Sequence, residues 1–162
     1  MIDTARMYQN LLVNASYKNM NRDDIYFTSN YIRFAQNSRS QLNTLMKALI
    51  SDGDLDTARD VLHQSLKLFP DEAVPMDFAG IELVSLAMAL DEQDTASHLS
   101  DVLYTRADQW LSYVSDKPEL ARERKTSLNL YTASELSRIY RRHGDVEQAK
   151  RFNALFEKYY RG

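Results

Sequence analysis

The chain has 162 residues, enough for one domain with a real hydrophobic core, and no cysteine, which excludes disulfides and cysteine metal sites. Four Gly and three Pro with 44% hydrophobic residues fit a helix-rich domain and argue against a sheet of tight hairpins. A formal net charge of -3 gives no electrostatic reason to expect nucleic acid or an anionic membrane as partner.

Residues Thr4 to Ala15 form a short helix candidate with Tyr8, Leu11, Leu12 and Ala15 on one side. The polar stretch Ser16 to Asn30 carries Tyr17, Met20, Ile25, Tyr26 and Phe27, so it reads as an irregular arm whose aromatics dock on the body. From about Tyr31 the pattern turns helical, with Leu42, Leu45, Met46, Leu49 and Ile50 on one stripe. Gly53 suits a left-handed helix end and Asp54 a cap for the next helix. Ala58, Val61, Leu62, Ser65, Leu66 and Phe69 then repeat the spacing as far as Pro70. Two striped helices joined by so short a turn must fold back on each other.

A second pair is expected from about Val74 to Leu90 and from about Gln93 to Val114. Its first helix is apolar on nearly every side, as a helix in the middle of a stack should be. Its partner shows Ala96, Leu99, Val102, Leu103, Trp110 and Val114, and Pro118 suits the first turn of a new helix. The third pair is Glu119 to His143 and Val146 to Tyr160. Leu128, Tyr131, Leu136, Ile139 and Tyr140 are expected to face inward in one helix, and Val146, Ala149, Phe152, Phe156 and Tyr159 in the other. Asp145 with Gln148 makes a capping-box pattern.

One punctuation occurs three times: Gly53-Asp54 leading to Ala58, Asp91-Glu92 leading to Ala96, and Gly144-Asp145 leading to Ala149. With Pro70 closing the first copy and Tyr140 in the third, the spacing resembles the tetratricopeptide repeat, in which a small residue lets two helices approach. The copies lie 38 and 53 residues apart, against about 34 for that repeat, so helices and connections are lengthened. The expectation is an all-α fold of antiparallel helical hairpins stacked as a tetratricopeptide-like right-handed superhelix. An arm covers residues 1–29 and three helix pairs cover residues 30–162.

A further resemblance lies in Ile2-Asp3-Thr4, Met7-Tyr8-Gln9-Asn10-Leu11 and Asn19-Met20-Asn21-Arg22-Asp23-Asp24-Ile25-Tyr26, continued by Ala48-Leu49-Ile50 before Gly53, Phe69-Pro70 and Val74-Pro75. These are similar to the segment following the last membrane span in a family of large bacterial membrane proteins with an uncharacterised conserved domain. The membrane part of that family is similar to protein O-mannosyltransferases. The resemblance implies a soluble C-terminal region on the extracytoplasmic (periplasmic) face of the inner membrane. The family's sugar-transfer acids lie in the membrane half, so none carries over to this sequence.

Motifs for chemistry are sparse. Asp52, Asp54, Asp56 and Asp60 depart from a calcium loop, which needs Gly and Glu where Thr57 and His63 stand, and read more simply as helix-capping acids. His63, His98 and His143 lack metal-ligand spacing, and no nucleophile elbow or phosphate-gripping glycine loop is present. Asn14-Ala15-Ser16 is a formal N-glycosylation triplet of low specificity. No catalytic, cofactor-binding or metal residue is assigned.

The most suggestive surface is basic. Tyr131, Ser134, Arg138, Arg141 and Arg142 follow one another on the first helix of the last pair, and Asn43 and Lys47 hold comparable places in the first pair. Together they form a candidate groove for an acidic or C-terminal carboxylate group, which the fork geometry of Arg suits. The simpler alternative is a solvated helix face near a C-terminus, where Arg is favourable anyway.

The expected function is a non-catalytic protein-interaction domain with a protein or peptide partner, no nucleic acid and no membrane insertion of its own. Alternatives are an accessory domain contributing to acceptor or sugar binding in the transferase, or a free-standing cytoplasmic scaffold.

Overall fold

The computed structural model describes residues 2–160. They contain seven α-helices, a π-helical turn and a 3-10 turn, and among them there is no strand. The chain forms two compact units, residues 1–92 and residues 93–162. Their charges differ: the first holds 13 acidic and 8 basic residues, the second 10 acidic and 12 basic.

In the first unit, α1 (Thr4–Tyr8) runs into the π-helical turn Gln9–Asn14, so the predicted N-terminal helix is α-helical only in its first part. Within the following arm, Tyr17 meets Phe69 edge-on at 5.0 Å and Phe34 at 6.2 Å, and Met20 is buried. Tyr26, by contrast, is 93% exposed.

Helix α2 (Ser29–Asp52) and α3 (Leu55–Leu68) make an antiparallel hairpin. Leu42, Leu45, Met46 and Leu49 pack inside with Ala58, Val61, Leu62 and Phe69, as the apolar spacing requires. Helix α4 spans Phe78–Ala89 and packs against α2 and α3. It starts four residues later than the pattern suggests. Pro75 disfavours helical backbone at Val74, and the Asp77 carboxylate caps the helix by accepting from the Ala79 N–H (3.0 Å).

Arg39 of α2 is fully buried and pins the α3–α4 connection. Its Nη2 donates to the carbonyls of Phe69 (2.8 Å) and Val74 (2.7 Å), and Nη1 reaches that of Pro75 (3.4 Å). The cation therefore sits at the carbonyl end of α3, where the helix dipole favours it.

The second unit holds α5 (Gln93–Val114), the 3-10 turn Pro118–Leu120, α6 (Arg124–Arg142) and α7 (Val146–Tyr160). Helix α6 packs on both of its neighbours. Pro118 opens only the 3-10 turn. The Leu120 carbonyl is taken by the Thr126 hydroxyl (2.8 Å), and Glu123 is extended, so α6 starts at Arg124 rather than Glu119. The core joins Ala107, Ala133 and Leu155, with Tyr104, Phe156 and Tyr159 against them. Tyr104 and Tyr140 both pack on the buried Phe152 ring, at 5.6 and 5.5 Å.

Two residues expected to face inward do not: Tyr131 is 47% and Val146 53% exposed. The inward face of α6 is instead partly polar, with Thr126, Asn129, Thr132 and Ser137 buried. Val146 opens α7 at the rim of the turn, and Leu155 takes an interior place that the spacing did not mark.

The three punctuations share one geometry. Gly53, Asp91 and Gly144 each take a positive φ, of 82°, 61° and 83°. The next N–H bonds to the carbonyl five residues back, Asp54 to Leu49 O, Glu92 to Ala87 O and Asp145 to Tyr140 O (2.8–3.0 Å). That is the Schellman pattern for closing a helix. Asp54 and Asp145 then cap the following helices by accepting from the Thr57 and Gln148 N–H groups. The reciprocal arm of the predicted capping box is replaced, since the Gln148 side-chain oxygen accepts from Arg151 (3.3 Å). Ala58, Ala96 and Ala149 are all buried.

Candidate partner-binding surface

The seven predicted residues separate into two groups. Asn43 is completely buried, and its amide donates to Ala79 O (2.9 Å) and to Glu82 Oε2 (3.0 Å). Lys47 Nζ lies 2.7 Å from Glu82 Oε1. Both residues thus brace α2 against α4 through one carboxylate, and Asn43 presents nothing to a partner. The expectation that it lines an open groove is corrected. Glu82 was the missing information, because the polar side of α2 faces an acid on a helix more than thirty residues away.

The α6 residues do come together. Tyr131, Ser134, Arg138 and Arg141 follow at spacings of three and four, so they share one stripe of the helix. The flanks of α6 are buried against α5 and α7, and this stripe is what it leaves to solvent. Tyr131, Arg138, Arg141 and Arg142 are exposed, with Ser134 and Glu135 half-buried. Glu135, Arg138, Arg141 and Arg142 line a single shallow depression of about 420 Å³.

Arg138 pairs with Glu135 at 2.9 Å. Among the described residues, neither Arg141 nor Arg142 has a carboxylate within ion-pair distance. Nearby Asp145 is engaged, its carboxylate capping α7. Sequence reading missed Glu135, although its place three residues before Arg138 is a standard helical pairing distance. The depression therefore offers three guanidinium groups against one carboxylate, a surface that attracts anions.

Three of the four acids at the first hairpin turn are occupied. Asp54 caps α3, Asp56 pairs with Arg59 (3.0 Å), and Asp60 accepts from Tyr8 Oη and Gln64 Nε2 (both 2.9 Å). The bond to Asp60 holds the Tyr8 phenol above its ordinary pKa. His63 lies 3.1 Å from Glu92, while His98 and His143 are exposed. Among the described residues, no group of three or more His, Asp or Glu is placed to hold a metal ion, and no helix is long and apolar enough to cross a membrane. No protein-family model, curated protein or solved structure matches the chain.

Proposed function

We propose that the chain is a non-catalytic protein-interaction domain built of tetratricopeptide-like stacked hairpins. In this reading it is the soluble C-terminal part of a membrane-bound, glycosyltransferase-like bacterial protein, held on the extracytoplasmic face. The observation that carries it is the threefold recurrence of one turn, with a left-handed residue at the same place, the same returning N–H bond and the same buried Ala. Repeated hairpins bury one side of each helix on the next and leave a face for partners. The exposed basic stripe of α6 is the surface in the second unit best suited to that use.

The test is to delete residues 1–162 from the parent protein and assay sugar transfer. Transfer to a minimal acceptor should survive while transfer to natural protein acceptors is lost. Loss of both would mean that the segment contributes to the sugar or acceptor site itself. Unchanged transfer to both would overturn the docking role.

A further inference from the structure

Resting on the reading of this chain as a docking domain, we infer that the α6 stripe takes an extended acidic polypeptide segment, whose carboxylates lie on Arg138, Arg141 and Arg142. Three features carry this. The guanidinium groups share one depression, and two of them are without a carboxylate partner among the described residues. The stripe lies on a helix whose other faces are packed, so the arginines are held on a rigid base rather than a loop. The second unit is the basic half of an acidic chain, which complements a negatively charged partner.

The spacing selects an extended chain. Arg138 and Arg142 are separated by about 6 Å along the helix axis at ~1.5 Å per residue. Alternate residues of an extended strand lie about 6.7 Å apart and point the same way. Two acids with one residue between them therefore match the two arginines. A nucleic acid is the poorer fit, because a depression of three arginines meets few phosphates.

The test uses the whole chain and a fluorescein-labelled nonapeptide in a Gly–Ser background, with two Glu separated by one residue. The control is the same peptide with Gln for both Glu. By fluorescence polarisation at low salt, the Glu peptide should bind about tenfold or more tightly than the Gln peptide. The Arg141→Glu, Arg142→Glu double variant should lose about tenfold in affinity with its circular dichroism unchanged. The control double variant Arg33→Glu, Lys67→Glu makes the same charge change on exposed residues of the first unit and should bind as the parent does.

Equal binding of Glu and Gln peptides overturns the inference. Equal weakening by the two double variants does so too, because it would reduce the effect to bulk charge. A short single-stranded RNA that displaces the Glu peptide at lower concentration than unlabelled peptide would replace the peptide by a polyanion. Peptide failure together with loss of natural acceptors in the parent deletion leaves the docking role standing on a different surface. Peptide success with an unaffected deletion keeps the surface and removes the proposed parent.

Discussion

Tyr140 Oη donates to Ser100 Oγ at 2.8 Å inside the second unit, and Ser100 Oγ in turn donates to the Ala96 carbonyl at 2.7 Å. This short relay joins α6 to the opening turns of α5, and it ends on the small residue that marks the second hairpin turn. Burial raises the Tyr140 phenol above its ordinary pKa, and the bond to Ser100 partly offsets that rise.

Replacing Tyr140 by Phe should therefore cost about 1 kcal/mol at neutral pH, since Ser100 keeps its bond to Ala96. The sign of the pH effect follows from the raised pKa. Below about pH 10 neither the folded nor the unfolded phenol ionises, and the contribution is constant. Above that, the unfolded chain loses its proton first and stability falls as pH rises. Urea midpoints should drop between pH 9 and pH 11 in the parent and drop less in Tyr140→Phe. Tyr8 and Tyr17, also raised, keep the residual slope. Identical slopes would remove Tyr140 from the alkaline transition.

The three left-handed turn residues differ in strain. Asp91 carries a Cβ at φ 61°, whereas Gly53 and Gly144 carry none. Asp91→Gly should stabilise the chain by about 0.5–1 kcal/mol. Gly53→Ala and Gly144→Ala should each cost about 1 kcal/mol. Nothing lies within 4 Å of a Cβ added at either glycine, so that cost is purely conformational. Thermal melts of the three variants check the opposite signs.

Arg39 predicts a large loss. Arg39→Met preserves much of the volume but strands the carbonyls of Phe69 and Val74, and should cost about 3 kcal/mol in chemical denaturation. A loss under about 0.5 kcal/mol would mean that those carbonyls find other donors.

Ser65 predicts the reverse. Its hydroxyl is fully buried in α3 with no hydrogen-bond partner among the described residues. Ser65→Ala removes an unsatisfied polar group and adds helix propensity, so it should stabilise by about 1 kcal/mol. A lower urea midpoint than the parent's would contradict this.

Much of the all-α fold was legible because apolar residues mark the inward stripes of α2 and α3, and because Gly-Asp signs two of the turns. The remainder was not legible, for reasons that particular residues make clear. Arg39 belongs by type to the surface, and the carbonyls that draw it inward come from a loop thirty residues downstream. The interior face of α6 carries hydroxyls and an amide whose hydrogen bonds are satisfied nearby, Thr132 on Leu128 O and Asn129 on Lys125 O. Polar letters there concealed a buried face and pushed Tyr131 inward on paper. In the candidate surface, Arg138, Arg141 and Arg142 were legible as one stripe by spacing alone. Asn43 was misread because no local signal announces that Glu82 stands opposite it; Lys47, paired with the same carboxylate, is exposed.

The pinning of the Phe69–Pro75 connection from beneath has a consequence for cleavage. A bridge with prolines at both ends and no regular helix would ordinarily be a place where proteases nick a chain. With several of its carbonyls gripped by a buried guanidinium, it cannot lift into an enzyme's cleft unless α2 gives up that grip. Resistance to digestion between the third and fourth helices thus reports on the integrity of a side chain in the second.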